Sequence, residues 1–294
     1  MTRITTASLS LNTERNLQAA MTRLASIQNK AGTQQEIGRP SDDPAGTANA
    51  MAVRAEQRQN EQFSRNVQDA NGWLSTTDNA LTTATDLLQQ ARDLAVKGAN
   101  DGALTPQAKE ALALELDQLH DALLSTANTK FMGRHVFAGT SNGSTAVDTE
   151  NGAYAFSGTS GVERRIGQNS TVRVDANGAD VFGQGATSVF QLVKDIAMNL
   201  RDGTNISSRI GDIDERLQDV LGAQAAIGAS HASVLAADGA LLSDAVSLEA
   251  RRSGIEDIDL GSVILELKTQ EVAYQAALSA AARTLQPSLM DFLR

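Results

Sequence analysis

The chain has 294 residues, a net charge of −10, no cysteine and three histidines. Without cysteine there are no disulfide scaffolds, thiol nucleophiles or thiolate metal sites, and three histidines are too few for a histidine-rich metal centre. The acidic balance argues against binding along a phosphate backbone, and no apolar run approaches the ~20 residues that span a bilayer, so neither nucleic acid nor membrane insertion is expected. Aromatic residues make up only 3% of the chain, which favours long helices packed through Ala, Leu, Ile and Val.

The first 40 residues predict an amphipathic helix. Their apolar side chains recur every three or four positions, at Leu17, Met21, Leu24 and Ile27, which places them on one helical face. Residues 1–39 hold five basic and two acidic side chains, a balance of +3. We therefore expect a basic helix whose apolar stripe needs a partner.

The next segment predicts two helices in succession. Asp43 and Pro44 suit the cap and the first turn of a helix, with carboxylates facing the positive end of the helix dipole. Apolar or small residues then keep a 3-4 spacing from Val67 to Ala95, so this helix should run from Pro44 to about residue 97. Thr105-Pro106 predicts the start of a shorter helix, whose seam reads Leu112, Leu116, Leu119 and Leu123.

Residues 140–187 predict a small β-rich insertion. The composition there turns to Gly, Ser, Thr and Asn, with short apolar alternations around Tyr154–Phe156 and Thr171–Val174. The dipeptide Asn177-Gly178 favours a hairpin turn. Its glycine-rich edges suggest a surface module that could be replaced without unfolding the helices.

After the insertion, a coiled-coil pattern predicts one long helix. One column of apolar residues repeats every seven positions, at Ile206, Ile213, Val220, Ile227, Val234, Leu241 and Leu248. A second column beside it becomes polar at Gln224, His231 and Asp238, where side chains can set the register or face solvent.

The last forty residues predict a second amphipathic segment with the opposite charge. They hold six acidic and three basic side chains, a balance of −3, so we expect this segment to pack on the basic N-terminal helix or on the same segments of neighbouring copies. The residues expected on its seam are Ile264, Leu267, Tyr274, Leu278, Leu285, Leu289 and Phe292.

Together these elements predict a mainly α fold: an elongated, coiled-coil-like bundle of long helices formed by both ends of the chain, with a small β-rich inserted domain. The expected divisions are an N-terminal assembly segment at 1–40, a helical rod at 41–139 and 188–254, the insertion at 140–187, and a C-terminal assembly segment at 255–294.

The sequence offers no motif for catalysis. It contains no H-E-x-x-H, no P-loop and no G-x-G-x-x-G between a strand and a helix. The carboxylates at 42–43 and 256–259 have no partner motif and suit helix starts better than acid–base chemistry. We therefore expect no catalytic residue, no cofactor site and no metal site.

Several motifs together resemble the bacterial flagellin family. They are the string Gly38-Arg39-Pro40-Ser41-Asp42-Asp43-Pro44-Ala45-Gly46, the string at 94–100, and the C-terminal strings at 255–259 and 275–278. The strings at 131–140 and 286–294 are most similar to those of the family's junction proteins, which lie between hook and filament. His135, where the family usually has tyrosine, and Pro287 depart from that pattern.

The resemblance implies a structural, self-assembling subunit of the flagellum, an adaptor joining hook to filament. Its implied partners are other copies of itself, the neighbouring hook-associated junction protein, flagellin, a cytoplasmic export chaperone and the flagellar type III export apparatus. It implies secretion to the flagellum without a cleaved signal peptide. The alternatives are the filament flagellin itself and, from a different class, a non-flagellar coiled-coil scaffold.

Overall fold

The computed structural model describes residues 6–100, 104–149, 154–158 and 160–285, and it confirms a mainly α fold. The two longest helices contain 55 and 50 residues. The α-helices are α1 (Thr6–Thr33), α2 (Pro44–Gly98), α3 (Pro106–Ala127), α4 (Gly178–Phe182), α5 (Val189–Asp202), α6 (Ser207–Glu256) and α7 (Leu260–Leu285).

Strands contribute little to the described part of the chain. They form three antiparallel pairs, each of two short strands. The pairs are β1 (Lys130–Phe131) with β2 (Arg134–His135), β3 (Val147–Asp148) with β4 (Ala155–Phe156), and β5 (Glu163–Arg165) with β6 (Thr171–Arg173). The predicted alternations at 154–156 and 171–174 therefore do form strands.

The chain divides into two compact units, one made of residues 1–58 and 245–294 and the other of residues 59–244. Their boundaries fall inside α2 and α6 rather than at the expected positions 40 and 255. Residues 140–187 do not form a unit of their own. Two-stranded hairpins bury too little apolar surface to be stable alone, so this segment shares the core of the unit formed by 59–244.

In the unit formed by 59–244, the α2 and α6 segments pair in opposite directions. Asn60 donates to the Leu241 carbonyl at 3.1 Å, His231 Nε2 lies 2.6 Å from Asn71 Oδ1, and Arg92 lies 2.6 Å from Asp214. The first predicted column of α6 is buried throughout this unit, and the 3-4 positions of α2 from Val67 to Ala95 are buried as well. The heptad prediction is confirmed here, because apolar residues spaced by 3.5 stay on one helical face.

The segment between α3 and α5 is held by stacked aromatic rings. Phe156 stacks on Phe182 with centroids 6.0 Å apart, Phe182 meets Phe137 edge-on at 5.1 Å, and Phe190 of α5 lies 5.7 Å from Phe182. The predicted hairpin turn at Asn177-Gly178 is wrong. The Asn177 side chain instead accepts a bond from the Ala179 amide and caps α4, a role that asparagine fills as well as turn formation.

Among the described residues, α6 is the one helix long and apolar enough to cross a membrane by length and composition alone. Its most apolar window has a mean hydropathy of 1.3 and is 17% buried. The sequence-based statement that no segment approaches that length missed this window, because a few polar residues interrupt its Ala, Gly and Leu. One such helix is weak evidence, and in the unit formed by 59–244 polar side chains of α6 are bonded to α2.

The surroundings of Tyr154 predict how the stability of the fold changes at alkaline pH. Burial, followed by the nearby charges of Asp121 and Asp195, raises the pKa of Tyr154 above its ordinary value near 10. Its hydroxyl also lies 2.9 Å from His120 Nε2. The pKa of Tyr154 is therefore higher in the folded chain than in the unfolded chain, and its protonated phenol contributes to the stability of the fold. This contribution is fully present below the unfolded pKa and is lost as pH rises through the folded pKa.

The chain has two tyrosines, so a Tyr274→Phe variant leaves Tyr154 as its sole phenol. We expect its tyrosinate absorbance to titrate later than free tyrosine and its unfolding temperature to fall above pH ~10. Tyr154→Phe should remove that alkaline loss. A titration at the ordinary tyrosine value would contradict the burial.

Candidate assembly surface

In the unit formed by 1–58 and 245–294, helices α1 and α7 pack along each other. Gln270 donates to the Ala20 carbonyl at 3.4 Å, and Gln35 pairs with Asp257 in an isolated antiparallel bridge. These two contacts run in opposite directions along the chain, so the helices are antiparallel. The prediction that the two oppositely charged ends pack on each other is confirmed for the described residues.

The N-terminal stripe lies partly on this contact. Ile27 is buried, Leu17 and Leu24 are half-buried, and Met21 is exposed. Three of the four predicted residues thus lie on the side of α1 that packs against α7, and Met21 lies on the side exposed to solvent.

Two of the four predicted α7 residues whose burial is described lie on the exposed side of the helix. Leu267 and Tyr274 are half-buried as predicted, but Ile264 is 50% exposed and Leu278 is 41% exposed. The column that faces α1 reads Val263, Leu267, Gln270, Tyr274, Ala277 and Ala281. Sequence reasoning missed it because a glutamine interrupts it and because its lower end consists of alanines, while larger apolar residues lie beside it.

The structure does not describe the burial of the last three predicted C-terminal residues. Leu285 ends α7, but its side chain is not described, and Leu289 and Phe292 lie outside the described residues.

Both helices leave large apolar side chains on their outer surfaces. The exposed set is Leu11, Met21, Leu260, Ile264, Leu265, Val272 and Leu278, of which Leu265 is 70% exposed. Contiguous exposed apolar side chains mark contact surfaces in soluble proteins. The α1–α7 pair is thus a candidate assembly surface.

The motif at 41–44 shapes the connection from α1 to α2. Asp42 accepts from the Arg39 amide at 3.0 Å, and Asp43 accepts from the Gly46 amide at 2.9 Å, so Asp43 caps α2 as predicted. At Gly46 a Cβ would collide with the side chains of Asp43 and Ile37. Ser41 and Pro44 are exposed. The motif therefore has a structural role in turning the chain into α2.

Sequence reasoning missed an ionic cluster next to this connection. Arg54 of α2 lies 2.8 Å from the carboxylate of Glu256, and Arg252 lies 3.2 Å from it. The Glu256 side chain is only 8% exposed, and its carbonyl accepts from the Glu36 amide at 2.8 Å. The cluster joins the α1–α2 connection to the end of α6. Arg54 and Glu256 are 202 positions apart, so only the fold could pair them.

Glu256→Gln should destabilise this unit by about 1–3 kcal/mol, because the uncharged amide weakens two charge-assisted bonds. Hydrogen exchange of the α1 and α7 amides would report the loss. Glu266→Gln, an exposed carboxylate on α7, is the matched control and should change nothing measurable. Equal exchange in wild type and Glu256→Gln would show that the cluster does not hold the connection.

Arg252 also bonds an exposed carboxylate. Its hydrogen bond lowers the pKa of Glu249 below the ordinary value, and the same bond raises the pKa of Arg252. The pKa of Glu249 is thus lower in the folded chain than in the unfolded chain. The stability that its carboxylate contributes is present above the unfolded pKa and is lost as pH falls through the folded pKa.

In the described ranges no three His, Cys, Asp or Glu side chains form a group that could hold a metal. A cleft of about 360 Å³ lies beside α6, and the residues that line it include Ala223, Ala226, Ile227, Asp180 and Asp219. It contains no nucleophile paired with a base.

Known proteins resemble this chain over most of its length. Residues 4–142 match the bacterial flagellin N-terminal helical region. Flagellin of Bacillus subtilis is 27% identical and covers 88% of each chain. Flagellar hook-associated protein 3 of Salmonella typhimurium is 26% identical, over 84% of this chain and 87% of that protein.

The fold is shared with a solved structure. A protein described as a flagellar hook-associated protein, from Vibrio parahaemolyticus, superposes with a TM-score of 0.69 at 22% identity, over 74% of this chain and 100% of that one.

Proposed function

We propose that this chain, a flagellin-like protein, is a structural and self-assembling subunit of the bacterial flagellum that acts as an adaptor at the junction between hook and filament. The observation that carries the proposal is the match to hook-associated protein 3, because it spans most of both chains. A helix pair with apolar side chains left on its outer surface suits a subunit that is completed by its neighbours.

The implied partners follow from this role. They are other copies of the chain, the neighbouring hook-associated junction protein and flagellin in the axial structure. A cytoplasmic chaperone and the flagellar type III apparatus would bring the chain to its place outside the cell, without a cleaved signal peptide. Passage of an unfolded chain is compatible with the absence of cysteine, since no disulfide has to be broken or formed.

The proposed role needs no chemistry from the chain. Catalysis, cofactor and metal are not part of the proposal, and neither are nucleic acid or insertion into a membrane. What the role requires is repeated, specific contact between helices, which the outer surfaces of the long helices can supply.

Filament flagellin is the second candidate, supported by the equally broad match to Bacillus subtilis flagellin. A non-flagellar coiled-coil scaffold is a third reading, which rests on the heptads alone. The junction role is preferred because the string at 131–140 is similar to that of junction proteins and because the fold is shared with a protein described as hook-associated.

Deletion of the chain from its native cell separates the three. A junction subunit predicts cells with hooks that release flagellin into the medium and hold no filament. Filament flagellin predicts that filaments are absent and that no other filament protein appears in the medium. Normal flagella in the deletion strain would support the scaffold and overturn both flagellar roles.

A further inference from the structure

Trp73, the single tryptophan of the chain, lies beside two arginine side chains in the unit formed by 59–244. The indole is 2% exposed. The Cζ atom of Arg134 lies 5.5 Å from the centre of the indole ring, and that of Arg164 lies 5.7 Å from it. Both distances are typical of cation–π contacts. The hairpins β1–β2 and β5–β6 thus bring one arginine each to the same place on α2.

One of these two cations has a counter-ion and the other has none in the described part of the chain. Arg164 lies 2.5 Å from the carboxylate of Asp69. Arg134 is half-buried, and no described residue pairs with its charge or accepts a hydrogen bond from its buried Nε atom. The Nε1 donor of Trp73 is likewise buried without an acceptor there. Because buried charges and donors in proteins are normally paired, Arg134 is suited to an anionic group from outside the chain.

Arg134 is one of three arginines in this unit that lack a carboxylate partner. Residues 59–244 contain nine arginines, within 13 basic and 23 acidic side chains. Six of the nine are ion-paired with a carboxylate, namely Arg92, Arg164, Arg173, Arg201, Arg209 and Arg216. Arg65, Arg134 and Arg165 have no ion pair with a described residue. In a unit with such an excess of carboxylates, unpaired arginines are unexpected.

The three unpaired arginines share one region of the fold. The side chain of Asn66, next to Arg65 on α2, donates to the Arg165 carbonyl at 2.8 Å. Arg134 packs on Trp73, which lies about two turns further along α2. Arg65 and Arg165 are exposed. Together with the neighbouring arginine on β5 they form what we call the arginine cluster: Arg65, Arg134, Arg164 and Arg165.

The arginine cluster reverses the local charge of an acidic unit. The segments that carry it, 61–73, 130–135 and 163–165, hold five basic and three acidic side chains, a balance of +2. The whole of 59–244 has a balance of −10. A positive region on a negative surface attracts an acidic partner and orients it.

The chemistry of the cluster favours carboxylates on a protein segment. The guanidinium group binds carboxylates through paired hydrogen bonds. The cluster extends over one helix and two hairpins, so it suits several carboxylates along a segment better than one small anion. Nucleic acid and other densely charged polymers would also meet the 23 acidic side chains of the unit, which repel them.

We propose that the arginine cluster binds a carboxylate-rich segment of another protein. One carboxylate of that segment pairs with Arg134 beside Trp73, and others pair with Arg65 and Arg165. The inference goes beyond the proposed function, since it concerns a partner recognised by charge and applies to a junction subunit and to a flagellin alike. Binding weakens as salt rises, because exposed ion pairs are screened.

Tryptophan fluorescence tests this directly, because the single tryptophan lies in the cluster. The probe is a hexaglutamate peptide, titrated into the full-length chain at low ionic strength. We expect a saturable change in Trp73 emission, and we expect Arg134→Gln to weaken binding roughly tenfold or more, the loss of one charge-assisted pair. Arg201→Gln removes the same charge from an arginine already held by Glu110 and Asp117. It is the matched control and should bind like the wild-type chain.

A second variant covers the case in which Arg134→Gln disturbs the hairpin. The double variant Arg65→Gln with Arg165→Gln changes two exposed side chains and leaves the contacts of Trp73 in place, and it should weaken binding to a similar extent. No saturable change in emission, or equal affinity in all variants, would overturn the inference. Inorganic phosphate or heparin that binds at least as tightly as hexaglutamate would overturn the assignment to a protein segment. The deletion phenotype that tests the proposed function depends on none of these results.

Discussion

Replacing Ile27 with Asp should abolish filament attachment while the protein is still made and exported. Ile27 is 8% exposed and is the one buried residue among those described in α1. Burying a side chain of this size contributes about 1.5–3 kcal/mol. The substitution loses that contribution and places a carboxylate in a desolvated position without a partner. In a repeating assembly the same loss recurs in every copy, so we expect the count of filaments per cell to fall close to zero.

Three comparison variants identify the cause. Leu278→Asp lies on the exposed side of α7 and should leave hydrogen exchange of the α1–α7 pair unchanged, so any loss of filaments from it reports contacts between copies. Charge reversal at Arg15 or Glu266, both exposed, should only weaken attachment, because an exposed ion pair contributes roughly 0–1 kcal/mol. Reversals as damaging as Ile27→Asp would mean that charge holds these helices together.

Replacing residues 143–184 with a short Gly/Ser linker should unfold the unit formed by 59–244. The replacement removes Tyr154, Phe156 and Phe182 from the core and uncovers Phe137 and Phe190. Truncating a single buried Phe typically costs about 3–5 kcal/mol, and a domain has only about 5–15 kcal/mol in total. We expect the cooperative thermal transition of this unit to disappear and the helical circular dichroism signal to fall.

A single substitution in the same core should cause a smaller loss of stability than the linker replacement. Phe182→Ala should lower the stability by about 3–5 kcal/mol without abolishing the transition, whereas Met132→Ala, at an exposed hairpin tip, should leave it unchanged. A linker variant that keeps the wild-type transition would show that the segment is a separable module, as its composition suggests.

The long helices were predictable because their periodicity is local and continuous. From Val67 to Ala95 and from Ile206 to Leu248 the apolar positions recur without a break, and burial follows the columns closely. The caps at Asp43 and Thr105 were predictable for the same reason, since each accepts from an amide three residues ahead. Such signals need no knowledge of the rest of the fold.

The packing of the insertion and the buried side of α7 were less predictable, because the composition of the insertion and the apolar spacing of α7 each fit more than one arrangement. Glycine-rich composition indicates turns but not what the few aromatic side chains pack on, and the stacking of Phe156 on Phe182 depends on contacts made across the fold. On α7 two adjacent columns both contain apolar residues. Ile264 and Leu278 lie in the exposed column, while the column that faces α1 combines Leu267 and Tyr274 with smaller or polar residues.

The most direct test of the junction role is where the chain lies on an intact flagellum. Thr149→Cys places a thiol at an exposed position in a chain that has no other, so a maleimide dye labels that site alone on living cells. A junction subunit predicts one fluorescent focus at the cell-proximal end of each filament, with the filament itself dark. Label along the whole filament, or label confined to lysed cells, would contradict the account.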